Sequence, residues 1–293
     1  MKKIFSLLFT AFFLLAYSQP ATEKARILYG SCTKDSLTVA PFSQWFNTGY
    51  ESYHPGAAEV AGLKKMTGPD ITIKIFFGTW CGDSKRELPR FLKLLSSISF
   101  PEKQYQLIAV GGSDSLVKQS PQHEEAGLGV FRVPVFIIYK NGKELNRINE
   151  FPVQSLEKDL LAILGNRSYQ PNYHSFSAVL SWMNDGTLLD ENINIRGLAE
   201  QLRFRVANEH ELNSLGYLLL KQGNRKEALQ LFRINYSLYP ESSNTASSLG
   251  EGYLENNEYT KAVTALERSL ELNKEPGAVK EILALLYKAK EKG

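Results

Sequence analysis

One cysteine lies where a protein chain can make a thiol reactive. Cys81 follows the β-branched and aromatic segment Ile71–Phe77 and precedes residues 84–97, whose apolar side chains recur at helical spacing. The first turn of a helix offers unpaired backbone N–H groups and the positive end of the helix dipole, and both favour a thiolate. We therefore predict that Cys81 is a nucleophilic thiol in a turn between a strand and a helix.

The side chains around Cys81 act on that reactivity in opposite directions. Ser84 is expected to donate a hydrogen bond to the thiolate, and Lys85 and Arg86 bring positive charge to the same turn. Asp83 carries a negative charge, which disfavours a second anion nearby. The indole of Trp80 is expected to cover one side of the site.

The thirteen-residue segment FGTWCGDSKRELP, which ends at Pro89, is similar to a known active-site segment. It resembles that of the thioredoxin superfamily and looks most like the exported TlpA/ResA-like thiol–disulfide oxidoreductases. Their motif is Trp-Cys-x-x-Cys, two basic residues, Glu, any residue and Pro. The resemblance spans residues 25–164, and it implies a thioredoxin-like fold with Cys81 as the reactive cysteine.

The resemblance also implies roles for further residues. Glu87 occupies the position of the family's acidic residue beneath the active site. Val133 and Pro134 match the family's cis-proline, so the Val133 backbone is expected to pair with a substrate peptide beside Cys81. The implied site comprises catalytic Cys81 and Ser84, substrate-binding Trp80, Val133 and Pro134, and supporting Gly82, Asp83, Lys85 and Glu87.

The second cysteine of the family's motif is replaced in this chain by Ser84. Thiol–disulfide exchange passes through a mixed disulfide that a neighbouring thiolate resolves, and a hydroxyl cannot do this. Three alternatives remain open. Cys81 acts alone and is released by the substrate's own thiol, Cys32 acts as a distant resolving thiol, or the domain is inactive and binds peptides. Cys32 is otherwise a buried structural cysteine, or a disulfide partner that silences Cys81.

Strand and helix patterns alternate around this motif up to about residue 165. Strands are predicted at 25–29, 71–77, 105–110, 135–139 and 143–148, and helices at 40–50, 84–97 and 155–164. Asn141 and Gly142 predict a hairpin turn between the last two strands. This order predicts a mixed central sheet flanked by helices. With the resemblance, it gives an α/β thioredoxin-like domain over residues 22–165.

The rest of the chain has helical patterns that repeat every 34 residues. Matching residues recur at this spacing, as in the pairs Gly216 and Gly250, and Ala228 and Ala262. Tetratricopeptide (TPR) repeats have this period and use small residues where two antiparallel helices approach closely. We predict an all-α domain over residues 175–293, with TPR-like repeats at about 209–242 and 243–276 and a final capping helix. Such repeats are expected to bind a protein partner.

The first 18 residues have the pattern of a cleavable secretory signal. Lys2 and Lys3 precede an apolar run over residues 4–17, and small residues lie just before a cleavage point after Ser18. The run is shorter than the roughly 20 residues that a membrane-spanning helix needs. We therefore expect an exported protein, periplasmic or extracellular, with no transmembrane segment once the signal is removed.

Composition excludes several other classes of function. Apolar residues make up 43% of the chain and charged residues 22%, as in ordinary globular proteins. The formal net charge is +3 and no basic block is interleaved with aromatic residues, so we expect no nucleic-acid partner. The four histidines lack metal-ligand spacing, and we expect neither a metal nor a cofactor.

These observations favour an exported enzyme, a monothiol thiol–disulfide oxidoreductase or isomerase that acts on protein or peptide thiols through Cys81. The alternative is a non-catalytic scaffold in which the thioredoxin-like domain docks a partner and the TPR-like repeats bind a peptide. A thiol peroxidase is a weaker hypothesis, because no Arg or Thr pattern near Cys81 in the sequence supports peroxide activation.

Overall fold

The computed structural model describes residues 27–112, 116–273 and 275–293. The predicted signal over residues 1–18 lies outside these residues. The strands are β1 Gly30–Cys32, β2 Ile71–Phe77, β3 Tyr105–Ala109, β4 Val135–Lys140 and β5 Lys143–Asn149. The helices around them are α1 Ser43–Ser52, α2 Ala57–Lys64, α3 Gly82–Ser97 and α4 Leu156–Leu164. The later helices are α5 Phe176–Asn184, α6 Ile195–Leu202, α7 Glu209–Lys221, α8 Arg225–Leu238, α9 Ser243–Glu255, α10 Tyr259–Leu272 and α11 Pro276–Lys292.

The five strands form one mixed sheet in the order β1-β3-β2-β4-β5. Strands β2 and β3 are parallel, and every other neighbouring pair is antiparallel. The parallel register places Phe77 opposite Ala109 at the carboxyl ends of β2 and β3. The chain segments that leave these two strands therefore emerge at the same edge of the sheet.

The side chains of β2 alternate between two cores. Ile73, Ile75 and Phe77 belong to the core that α1, α3 and α4 cover, in which the rings of Phe91 and Phe136 lie 4.1 Å apart. Phe76 points to the opposite face and packs in a smaller core with other apolar side chains of the sheet and of the segment before β4. Because successive strand residues face opposite sides, the sheet separates these two cores.

Most predicted elements are confirmed, and the first strand is the clearest correction. It was expected at residues 25–29 but runs over Gly30–Cys32, where it pairs with Leu107–Ala109 of β3. Leu28 lies outside the strand, and its N–H donates to the Thr79 hydroxyl. Helix α1 begins three residues later than expected, and α2 was not predicted, because its sequence AAEVAGLK has weak helical amphipathicity.

The hairpin turn between β4 and β5 is confirmed. Asn141 has a φ of 51° and Gly142 a φ of 77°, so both residues adopt the left-handed conformation. Two such residues in succession match the right-handed twist of the flanking strands in a two-residue hairpin. The Asn-Gly pair is the sequence that tolerates this turn best.

Helices α7 and α8 lie within the first predicted repeat, and α9 and α10 within the second. The two repeat glycines lie where helices touch. A Cβ atom on Gly216 would come within 2.4 Å of the Phe232 ring, and one on Gly250 within 2.5 Å of Leu266. Each glycine therefore permits a helix-to-helix approach that an alanine would obstruct.

Within the described ranges, no helix has both the length and the apolar character that crossing a bilayer requires. The described residues after α4 also contain no strand.

Candidate functional site around Cys81

Cys81 lies at the edge of the sheet where β2 and β3 end, and it is the N-cap residue of α3. Its backbone is extended, with φ −87° and ψ 129°, and its side chain is partly exposed. The thiol Sγ donates to the carbonyl oxygen of Val133 over 3.2 Å. The thiol thus lies between the start of a helix and the segment that leads into β4.

The structure brings Val133 and Pro134 to Cys81, as the sequence predicts. The peptide bond between them is cis, and Val133 is buried in the smaller core beside Cys81 and Trp80. The carbonyl of Pro134 accepts a hydrogen bond from the backbone N–H of Glu150 over 2.7 Å, which attaches this segment to the chain that follows β5.

Trp80 packs on the same core as Cys81, and two glycines make room for its ring. The indole Nε1–H donates to the carbonyl of Val110 over 3.0 Å. A Cβ atom on Gly78 would lie 2.5 Å from the ring, and one on Gly112 would lie 2.6 Å from it. The ring is therefore held between two backbone segments, one leading to Cys81 and one leaving β3.

Ser84 does not make the predicted hydrogen bond to Cys81. Its side chain is fully buried, and its Oγ accepts from the backbone N–H of Gly78 over 3.1 Å. Gly78 is the first residue after β2, so its N–H needs a partner other than the ladder of the sheet, and Ser84 supplies the acceptor. The Ser84 hydroxyl therefore holds the turn before α3 through its bond to Gly78.

The charges on α3 pair with one another. Arg86 contacts Asp83 over 2.7 Å and Glu87 over 2.5 Å, which corrects the expectation that its charge is directed at a thiolate. Glu87 is buried beneath the helix and also lies 3.6 Å from Arg90. Lys85 forms no ion pair with any of the residues described. Lys85 therefore keeps an uncompensated positive charge in the first turn of α3, whereas the charge of Arg86 is offset by its two carboxylate partners.

Cys32 is not positioned to act with Cys81. Both cysteines are free thiols in the structure. Cys32 packs on the core beneath α1 and α3, whereas Cys81 belongs to the smaller core on the opposite face of the sheet. Burial raises the pKa of the Cys32 thiol to about 12, so very little Cys32 thiolate exists near neutral pH.

Lys118 is a cation on the segment after β3 that the sequence did not single out, and its charge interacts with that of Cys81. Burial lowers the pKa of its ammonium group to about 8, and the charges of Arg132 and Lys221 act in the same direction. Glu150 and Cys81 act in the opposite direction, which places all these groups within electrostatic range of Lys118. The segment that carries Lys118 lies between the predicted strands at 105–110 and 135–139, and nothing in its sequence marks this lysine.

Arg132 directly precedes Val133 and is held by several groups. It donates to the Ser214 hydroxyl of α7 over 2.7 Å, and its guanidinium lies 5.1 Å from the centre of the Tyr173 ring. Its second nitrogen is 4.0 Å from Glu150, whose carboxylate also accepts from the Tyr173 hydroxyl. The position of Arg132 directly before the cis-proline pair could have marked it as a candidate site residue from the sequence. Its contact with Ser214 of α7 is visible only in the folded chain.

Two further features lie away from the thiol. A cavity of about 510 Å³ lies between β5 and α5, with Arg147, Tyr169 and Phe176 in its lining. In the part of the chain that the structure describes, no group of three or more His, Cys, Asp or Glu residues is arranged to hold a metal ion.

Comparison with known families identifies one segment of the chain. A family model described as tetratricopeptide repeat matches residues 245–280, which include most of α9, all of α10 and the start of α11. This TPR-like repeat coincides with the second predicted repeat, to within a few residues at each end. No curated protein matches the chain.

Proposed function

We propose that the chain is an exported monothiol thiol–disulfide oxidoreductase or isomerase that acts on protein or peptide substrates through Cys81. The observation that carries this proposal is the position of one partly exposed cysteine. It lies at the N-cap of a helix, beside Trp80, with its sulfur 3.2 Å from the carbonyl of Val133 before a cis proline. Thiolates are favoured at helix starts, and the open side of the thiol is available to a substrate sulfur.

The fold we propose for residues 22–165 is thioredoxin-like. A parallel β2–β3 pair joined through α3 and followed by the antiparallel β4–β5 hairpin supports it. So does the position of Cys81 after β2, facing a proline that opens β4. The second domain that we propose spans residues 175–293, and its TPR-like repeats bind a protein partner.

The reaction we propose needs no second thiol in the chain. The Cys81 thiolate attacks one sulfur of a substrate disulfide, the new bond from Sγ to sulfur forms, and the departing substrate thiolate takes a proton from solvent. A different substrate thiolate then attacks the mixed disulfide and releases Cys81. No net oxidation or reduction occurs, so the product is an isomerised disulfide. The burial of Cys32 on the other face of the sheet favours this route over resolution by Cys32.

The export proposal rests on the cationic and apolar pattern of residues 1–18. It fits the chemistry, since substrate disulfides persist in the periplasm and outside the cell.

A second candidate function is a non-catalytic scaffold, and the tetratricopeptide match favours it. Such repeats commonly bind proteins, so the helices around residues 245–280 are proposed to hold a partner. The two functions are compatible if the repeats deliver a substrate to Cys81. They differ in whether Cys81 is needed for anything beyond binding.

Reactivation of a protein with scrambled disulfides distinguishes the two functions. The reduced chain is mixed with scrambled ribonuclease, and the recovery of ribonuclease activity is followed. We expect the Cys81→Ala variant to lose the catalysed recovery and the Cys32→Ala variant to keep it. Recovery that persists in Cys81→Ala, or that is absent in the unaltered chain, would count against the enzyme and leave the scaffold.

A further inference from the structure

Three positively charged residues from separate segments influence one another near the edge of the sheet that carries Cys81. Lys118 lies in the segment after β3, Arg132 directly precedes the cis-proline pair, and Lys221 is in the last turn of α7. The charges of Arg132 and Lys221 both disfavour the protonated form of Lys118. Backbone contacts place two of these residues at the edge of the sheet that carries Cys81. The Lys118 N–H donates to Gly111, just after β3, and Arg132 precedes Val133, whose carbonyl accepts from the Cys81 thiol.

The position of Lys118 is fixed by its backbone. Its φ is +54°, a left-handed conformation that few residues other than glycine adopt. Its N–H donates to the carbonyl of Gly111 over 2.8 Å, and the N–H of Gly111 donates to Gln119 over 2.9 Å. The next residue, Gly112, lies against the Trp80 ring. Lys118 is thus attached to the backbone that supports the residue preceding Cys81.

The helical part of the chain holds the same segment from the other side. The side chain of Gln222, which follows α7, donates to the carbonyl of Val117 over 3.1 Å. Ser214 of α7 accepts from Arg132 over 2.7 Å. One of these hydrogen bonds holds the backbone just before Lys118, and the other holds the Arg132 side chain. The fold therefore fixes both residues against α7 and the residue that follows it.

Glu150 does not balance the positive charge of Lys118, Arg132 and Lys221. The Glu150 carboxylate is engaged by the Tyr173 hydroxyl and lies 4.0 Å from Arg132. Among the described residues, no carboxylate lies within ion-pair distance of the Lys118 ammonium group. Lys118 is partly buried, and a partly buried ammonium group near further cations is stabilised when an anion enters.

We propose that Lys118 and Arg132 bind a carboxylate that lies next to the reacting sulfur of the substrate. This inference rests on the proposed function, because it names the substrate class of the same Cys81 site. The carboxylate belongs either to an acidic side chain beside a peptide cysteine or to a small acidic disulfide. In both cases Cys81 attacks the substrate sulfur while the cations hold the neighbouring anion.

The first test compares two alkylating reagents of similar size on the Cys32→Ala background. Iodoacetate carries a carboxylate and iodoacetamide a neutral amide, and with both the Cys81 sulfur–carbon bond forms as iodide leaves. Both reagents consume the same thiolate, so the ratio of their rates is independent of how much thiolate is present. A charge–charge interaction over several ångströms in a partly buried site changes such a ratio about fivefold.

We expect Lys118→Gln to lower the iodoacetate-to-iodoacetamide rate ratio about fivefold and Lys118→Arg to preserve it. Lys143→Gln, which removes an exposed lysine at the start of β5, is the matched control and should leave the ratio unchanged. Circular dichroism establishes that each variant is folded. An unchanged ratio in folded Lys118→Gln overturns the proposal.

The second test uses disulfide peptides in which the residue next to cysteine is Glu or Gln, together with a small disulfide that bears carboxylates. Faster mixed-disulfide formation with the Glu peptide, lost in Lys118→Gln, supports a peptide source. A Lys118-dependent rate with the small disulfide alone supports a small-molecule source. If all the disulfides form mixed disulfides at equal rates in the unaltered chain and in Lys118→Gln, carboxylate recognition is overturned while the thiol chemistry stands. If alkylation shows the charge preference but no mixed disulfide forms, the proposed function fails and the anion site stands.

Discussion

Replacing Ser84 by alanine tests how the turn before α3 is held. The Ser84 hydroxyl is fully buried and accepts the Gly78 N–H over 3.1 Å. Alanine removes the acceptor and leaves that N–H without a partner. The Trp80 ring lies so close to Gly78 that an added Cβ would be 2.5 Å away, which leaves little space for a water molecule. An unpaired buried donor costs about 1–3 kcal/mol, so we expect the free energy of unfolding to fall by about 2 kcal/mol.

Urea unfolding followed by circular dichroism and tryptophan fluorescence measures this loss. With a typical slope of about 2 kcal/mol per molar urea, the midpoint should fall by roughly 1 M. Ser52→Ala is the matched control, because Ser52 is exposed at the end of α1 and its loss should change stability by less than about 0.5 kcal/mol. If Ser84→Ala is as stable as this control, the hydrogen bond to Gly78 is not what holds the turn.

The same variant separates two roles for Ser84. The structure directs its hydroxyl to Gly78, so Ser84→Ala should leave the iodoacetamide alkylation rate of Cys81 nearly unchanged while it lowers stability. A large drop in alkylation rate in the folded variant would instead favour the role expected from the sequence, a hydrogen bond to the thiolate.

Three further predictions concern the motif, the repeats and the cation cluster. Ser84→Cys should allow an intramotif disulfide with Cys81 on oxidation, seen in the unfolded chain as loss of two of the variant's three free thiols, with Cys32 left; three thiols that all stay titratable contradict it. Gly216→Ala places a methyl group 2.4 Å from Phe232 and should cost about 1–3 kcal/mol of unfolding free energy, whereas Gly277→Ala, which has open space, should not. Lys118 has a pKa of about 8 in the folded chain and 10.5 as its ordinary value, so the unfolded chain binds more protons between these values and stability rises with pH there. Relative to Lys118→Gln, the unaltered chain should gain about 2 kcal/mol between pH 8 and pH 10 in urea titrations, and a flat difference contradicts the burial of this lysine.

Much of the architecture followed from local patterns in the sequence. Continuous apolar segments predicted β2, β3 and β4, and the Asn141-Gly142 pair predicted the hairpin. These predictions succeeded because each pattern depends only on residues that are adjacent in the chain. The 34-residue period gave the repeat that matches at residues 245–280. The first strand was misplaced, because its pairing with β3 depends on a partner far along the chain.

The site was only partly predictable for the same reason. The position of Cys81 between β2 and α3 and the cis bond before Pro134 were predictable, since both depend on short motifs. The roles of Trp80, Cys81 and Val133 in a reaction stay predictions. The direction of the Ser84 side chain depends on an unpaired N–H at Gly78, which a sequence does not show. Backbone hydrogen bonds to Gly111 hold Lys118 next to β3, and Ser214 of α7 holds the Arg132 side chain. Both partners are distant in sequence, so neither residue was found before the fold was known.

Peptide mapping of the mixed disulfide shows whether Cys81 is the thiol that reacts with a substrate disulfide. The reduced chain is incubated with a cysteine-containing peptide disulfide, quenched with acid and digested without reduction, and mass spectrometry locates the attached peptide. We expect attachment at Cys81 in the folded chain, with Cys32 unmodified until the chain is unfolded in urea. Attachment at Cys32 in the folded chain, or attachment at neither cysteine until the chain unfolds, would contradict it.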